Sequence, residues 1–181
     1  MLDWLVENFH PSVIVVERNP FNVMASWIEL NFVANLDEAA AFARKAQKRW
    51  NVAPLDAHAP QLAHQTFAYG VLVCTIREAA ARHDDWTIVS HEQLCSDPPN
   101  QFHALAANLG LPWGDRATEF LAESNRDGTG FKTNRRAKVQ SERWRERLNE
   151  EQIGIIRATL SRFPSSLIGS GCFVTMMGIA F

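Results

Sequence analysis

The sequence predicts an α/β layered fold with a small parallel sheet and helices in excess. Three observations support this. Ser12-Val-Ile-Val-Val16 is a short, continuous, β-branched run of the kind found in strands buried on both faces of a parallel sheet. Trp86-Thr-Ile-Val89 reads as a second strand, and most of the chain between and after the two carries helical periodicity or helix-favouring composition. Strands alternating with helices fit a layered α/β arrangement.

The elements follow in order. Residues 1–12, MLDWLVENFHPS, are helix-like. After the first strand, Asn19 and Pro20 have the chemistry of an N-cap and a first helical residue, opening a helix to about Leu30. DEAAAFARKAQKRW (37–50) is alanine-rich with mixed charge, which predicts a helix. A longer helix is expected from about Pro60 to Arg82, with Leu62, Tyr69, Val73 and Ile76 at helical spacing and Phe67 and Cys74 beside them. Beyond the second strand, Ser90 with Gln93 resembles a capping box. Asp97-Pro98 opens a helix that carries Phe102, Leu105, Ala106 and Leu109 and stops at Gly110. A short helix around 115–123 comes next, and residues 123–140 have no apolar period and read as a loop. Asn149 and Gln152 cap a last helix ending near Arg162.

At 181 residues the chain is expected to form one domain able to bury a core without covalent staples. Its net charge of −2 gives no whole-molecule reason to expect nucleic acid. Cys74, Cys95 and Cys172 are odd in number, widely spaced and form no CxxC, which argues against a disulfide framework or zinc site. No metal is expected. Met1 is not followed by a basic region and an apolar run, so no signal peptide is read and a cytoplasmic location is expected. Residues 163–181, FPSSLIGSGCFVTMMGIAF, are uncharged. Their apolar part is shorter than the ~20 residues of a spanning helix, so a terminal strand or packed tail is expected rather than a membrane contact.

The chemistry concentrates in VVERNPFNVMASW (15–27). In an open parallel sheet, ligands sit beyond the carboxyl ends of the strands, and Arg18 stands there. The helix that follows offers unpaired N–H groups and a positive dipole end. Asn19, Asn22 and Ser26 share one face of it by their i, i+3, i+7 spacing. An anion there could take a charged fork from Arg18 and a hydroxyl bond from Ser26. The alternative is that Arg18 pairs with a neighbouring carboxylate and Ser26 merely permits close helix packing. Residues 126–147 add eight Arg or Lys against three acids, a pattern that also fits a solvated face. GTGFKT (128–133) is not a Walker A loop, because Phe131 separates Gly130 from Lys132, the motif's first glycine is missing and no strand precedes it.

A strand, Arg-Asn-Pro, and a serine eight residues after the arginine resemble the 3′-phosphate-binding element of the sulfotransferases that use 3′-phosphoadenylyl sulfate. The resemblance implies that Arg18 and Ser26 hold the nucleotide's 3′-phosphate, with Asn22 where the family often has an aspartate. TIVSHEQLCSDP (87–98) is similar to the family's strand followed by Tyr-Glu-Asp-Leu and Asp-Pro, and Leu109-Gly-Leu111 ends the next helix as is common there. His91 takes the place of a tyrosine that can lie against the adenine. It can equally be an exposed helix-start residue. The basic loop resembles the family's late nucleotide-covering loop, with Thr133-Asn134-Arg135 the best match to its Thr-Ser-Arg and Arg135 the implied phosphate ligand; Lys132 and Arg136 are chemically as available.

The resemblance implies a P-loop-nucleotide-type fold over residues 1–163, with 164–181 as an uncharged apolar tail. It implies 3′-phosphoadenylyl sulfate as co-substrate and sulfuryl transfer to a hydroxyl or amine acceptor that the sequence does not identify. No 5′-phosphosulfate loop is read ahead of Val13, and Glu7 and His10 lie at the wrong end of the strand for a general base. The domain is therefore expected to be amino-terminally incomplete and inactive alone, with a partner chain as a candidate cover for the incomplete sheet. The alternatives are a non-catalytic remnant that binds nucleotide or a protein partner, and an interaction module whose basic loop meets an acidic partner.

Overall fold

The structure is a computed structural model that describes residues 2–32, 36–126 and 137–168. The elements run α1 (Leu2–Phe9), β1 (Ile14–Glu17), α2 (Pro20–Glu29), α3 (Leu36–Trp50), α4 (Gln61–Ala80), β2 (Thr87–Ser90), α5 (His91–Ser96), α6 (Pro98–Asn108), α7 (Asp115–Ser124), α8 (Ala137–Gln140), a 3₁₀ turn (Arg143–Glu146), α9 (Glu150–Leu160) and α10 (Ser165–Ile168). The α/β class and the helix excess expected from the sequence are present.

β1 and β2 form a two-stranded parallel sheet in the register Ile14↔Thr87 to Glu17↔Ser90. A parallel pair needs a long crossover. Here α2, α3 and α4 supply it, and α4 is its main body.

The core is built around α4. Its Phe67, Val71 and Cys74 meet Met24 and Ala25 of α2, Ala46 of α3, Ile156 and Leu160 of α9, and Ile168 of α10. Gly70 is required at this crossing, since a Cβ there would stand 2.5 Å from the ring of Phe163. Thr66 Oγ1 lies buried on the same helix and returns its proton to Leu62 O at 2.6 Å. A smaller cluster joins Ala79, Ala80 and Trp86 to Val6, Val13 and Val15, tying α1 to the sheet.

Local capping follows the residue chemistry. Asn19 Oδ1 accepts from Phe21 N at 2.9 Å ahead of Pro20. Ser90 Oγ accepts from Gln93 N at 3.3 Å. Asn149 and Gln152 form a reciprocal capping box at α9. Gly110, with φ of +65°, takes the left-handed turn after α6 that glycine adopts without steric cost.

Four expectations need correction. The first strand is not buried on both faces: Ile14 is 41% exposed and Val16 55%, and Ile88 of β2 is 51% exposed, because among the described residues no layer covers them. The stripe Leu62–Tyr69–Val73–Ile76 is only partly buried, since α4 is surrounded by α2, α3, α9 and α10 and buries its other faces instead. Asp97 does not cap α6 with its side chain; its carboxylate takes a bond from Asn100 Nδ2 at 2.7 Å. The stretch read as one loop holds the end of α7 and all of α8, whose first N–H, that of Ala137, is capped by Asn125 Oδ1 at 2.8 Å. Residues 127–136, with Arg135, lie outside the described residues, as does the tail beyond Ile168.

Candidate functional site at the carboxyl end of β1

Where β1 ends, two consecutive charged residues have opposite fates. Glu17 is gripped by Arg77 of α4 through two parallel bonds, Nε–Oε1 at 2.6 Å and Nη2–Oε2 at 2.5 Å. This forked geometry is the strong form of an arginine–carboxylate pair. Arg18 has no such partner. Among the described residues its side chain makes no hydrogen bond or ion pair, and its Nε is buried without an acceptor. Only its backbone is engaged, with Tyr69 donating to Arg18 O at 3.0 Å. The alternative in which Arg18 pairs with a neighbouring carboxylate is therefore not what the structure has. That pairing belongs to Glu17.

The first turn of α2 meets the start of α5. Glu92 Oε1 accepts from Asn19 N at 2.9 Å and from Asn22 Nδ2 at 3.4 Å, while Oε2 accepts from Ser90 Oγ at 3.2 Å. Burial raises the Glu92 carboxyl, but the neighbouring His91 ring and hydrogen bonds from backbone N–H groups outweigh it and hold the group at about 2. Glu92 is thus a fixed anion at neutral pH.

Asn22 is 3% exposed and spends its side chain on the fold. It donates to Ser141 O at 2.8 Å and accepts from Trp144 N at 3.2 Å, docking the 3₁₀ turn onto α2. Phe21 stacks on Trp144 with centroids 4.7 Å apart. Ser26 is half-buried, and its hydroxyl donates to Asn22 O at 3.0 Å, a bond within its own helix. One turn further, Glu29 Oε2 pairs with Arg147 Nη1 at 2.9 Å, which sets Arg147 against α2. Burial lowers the Arg147 pKa first. Arg143 and Arg18 lower it further, against the opposing pull of Glu29 and Glu146. Arg143 and Arg18 thus lie close enough to Arg147 to disfavour its charge.

A cleft of about 670 Å³ opens beside Arg18. Of the strands it touches Val15–Glu17 of β1 and only Ser90 of β2, and its walls come from Val23 and Trp27 of α2 and Tyr69, Leu72, Val73 and Ile76 of α4. Of the α4 stripe that the periodicity points to, Tyr69, Val73 and Ile76 thus form the wall of a cleft, while Leu62 packs against the core. Arg18 and Asn19 line this cleft, whereas Asn22 and Ser26 do not.

His91 sits at 3.8 Å from Glu92 Oε1, with its ring nitrogens 3.7 and 3.8 Å from Cys95 Sγ. Burial pushes the Cys95 thiol up, with Glu92 adding to it, so the sulfur is held protonated rather than nucleophilic. Among the described residues no three His, Cys, Asp or Glu side chains converge as a metal site would need. No helix there is long and apolar enough to cross a membrane.

Three features of this site have no short-range signal. Arg143 and Arg147 read as part of a charge run, and only the docking of this segment on α2, through Trp144 N and Arg147, brings them towards each other and Arg18. Glu92 stands second in the helix after Ser90, a position that suits an acid, but its bond to Asn19 spans 73 residues. Scans against protein-family models, curated proteins and solved structures find no match to this chain.

Proposed function

We propose that this chain is a sulfotransferase-like domain of the P-loop-nucleotide type, which binds the 3′-phosphate of 3′-phosphoadenylyl sulfate during sulfuryl transfer to a hydroxyl or amine acceptor. One observation carries the reading. The Arg18 guanidinium has no protein partner among the described residues, although its Nε is buried at the ligand end of a strand. A half-buried guanidinium with an unsatisfied buried N–H carries a desolvation cost, and a bound anion offsets it. The neighbouring charges of Arg143 and Arg147 point the same way, since a phosphate relieves their mutual repulsion.

In this reading Arg18 supplies the charged fork and Ser26 supplies a hydroxyl, which must turn from Asn22 O to reach the phosphate. Arg135, from the basic loop, closes over it. Asn22 acts by holding the 3₁₀ turn against α2, which positions Arg143 and Arg147, rather than by touching the nucleotide.

A second reading is favoured by the state of Glu92. It is the carboxylate that contacts the N-terminus of α2, and a group held at about 2 is a weak proton acceptor at neutral pH. The described residues around Arg18 therefore supply a grip on an anion without an evident general base. This fits a nucleotide-binding module that does not itself perform the transfer.

Calorimetry with adenosine 3′,5′-bisphosphate and with adenosine 5′-monophosphate tests both readings. Binding of the bisphosphate, at least tenfold weaker binding of the monophosphate, and loss of that preference in Arg18→Ala are expected. Equal binding of the two nucleotides, or an unchanged preference in Arg18→Ala, overturns the assignment of the 3′-phosphate to Arg18. Transfer of the sulfuryl group from 3′-phosphoadenylyl sulfate to a hydroxyl or amine acceptor, with release of adenosine 3′,5′-bisphosphate, separates the enzyme from the binding module.

A further inference from the structure

The cleft beside β1 has a second feature that the nucleotide reading does not use. The sheet has two strands, so one long edge of β1 carries no pairing strand among the described residues. The cleft touches three consecutive β1 residues, Val15 to Glu17, and of β2 only Ser90, which places it on the β1 side of the sheet. Open N–H and C=O groups along such an edge favour an added strand. The wall formed by Val15, Val16, Leu72, Val73 and Ile76 is apolar, the Glu17–Arg77 pair is internally neutralised, and the remaining charges of the lining are Arg18, Glu92 and Glu142. An uncharged, apolar, extended segment fits this surface.

The chain itself carries such a segment, and it starts in the cleft. Ile168, the last residue of α10, is 1% exposed and lines the cleft. The residues after it, Gly169-Ser170-Gly171-Cys172-Phe173-Val174-Thr175-Met176-Met177-Gly178-Ile179-Ala180-Phe181, contain no charge and hold a β-favouring Phe-Val-Thr run behind a Gly-Ser-Gly connector. The connector reaches up to ~10 Å. The β1 edge of four residues is about 13 Å long, within the span of Phe173–Met177 as a strand.

We propose that residues 169–181, which lie outside the described part of the structure, dock along the open edge of β1 and fill the apolar part of the cleft by strand addition. Val174 and Met176 then face one side of the sheet, and Phe173, Thr175 and Met177 the other. The occupied part is the wall formed by Val15, Val16, Leu72, Val73 and Ile76, which leaves the Arg18 end open. The inference does not depend on what Arg18 binds.

Hydrogen exchange of peptides spanning residues 12–20 tests it. The samples are the full chain, a Val174→Asp/Met176→Asp double variant, and a chain ended after Ile168. Each is followed at several protein concentrations, with α9 peptides as the internal reference. In the full chain the β1 peptides are expected to exchange at least tenfold more slowly than in either altered form. The α9 peptides stay the same, and the rates do not depend on concentration. Equal β1 rates in the full chain and the double variant overturn the proposal. So does slow exchange that appears only as concentration rises, which assigns the edge to a second copy of the chain. If the shortened chain fails to fold, the double variant gives the decision.

Discussion

The two faces of α4 lie in contrasting surroundings. Towards α9 and α10 it is enclosed: Ile156, Leu160, Val71 and Cys74 are at most 1% exposed, and the packing is close enough that position 70 admits only glycine. Towards the sheet the same helix borders a cleft, next to a strand whose Ile14 and Val16 are substantially exposed. Stability resides on the first face. The second holds the partnerless Arg18, the ion pair beside it and the apolar walls. A fold that concentrates its packing on one side of a helix leaves the other side free to hold a ligand or an added segment.

Mutations can break this contrast, and the largest expected effect is on the packed side. Ile156→Ala leaves a cavity among fully enclosed neighbours and is expected to cost about 3–4 kcal/mol by chemical denaturation. Ile88→Ala, at a position on β2 that is 51% exposed, is expected to cost below ~1 kcal/mol. Similar losses at both positions would show that the sheet face is covered.

The joint between α2 and α5 sharpens the comparison through pH. The Glu92 carboxyl is held at about 2, below its ordinary value, so the folded state favours its ionised form. Its contribution is complete above the unfolded-state pKa of ~4.3 and fades as pH falls towards 2. With the side chain about a quarter exposed, the effect at neutral pH is about 2 kcal/mol after allowance for screening. Glu92→Gln is expected to lose that amount at pH 7 and to show a flatter stability profile between pH 5 and pH 2. Parallel profiles for the two proteins would remove Glu92 from the joint.

Much of this layout is legible along the chain because it is local. Asn19-Pro20 caps α2 from within three residues, and Asn149 with Gln152 closes α9 the same way. Arg18 is legible too, since an arginine directly after a β-branched run lands at the strand's carboxyl end. The role of Asn22 is not. Its partners Ser141 and Trp144 are 119 and 122 residues away, so its place on the Ser26 face points to a ligand while the distant turn claims its amide. The uncovered sheet face is hidden for a related reason. A β-branched run states that a strand can be buried on both sides, but what covers it depends on the other layers. The α4 stripe misleads because a helix surrounded by four others has no single apolar face.

Arg18 decides the central claim, because a residue kept for a ligand and a residue kept for the fold respond oppositely to removal. Arg18→Ala is best measured in one protein for both unfolding free energy and affinity for adenosine 3′,5′-bisphosphate. Removal of a half-buried cation with no partner is expected to leave stability unchanged or to raise it slightly, while affinity falls at least tenfold. A loss of stability with no change in affinity would contradict the account and return Arg18 to a structural role.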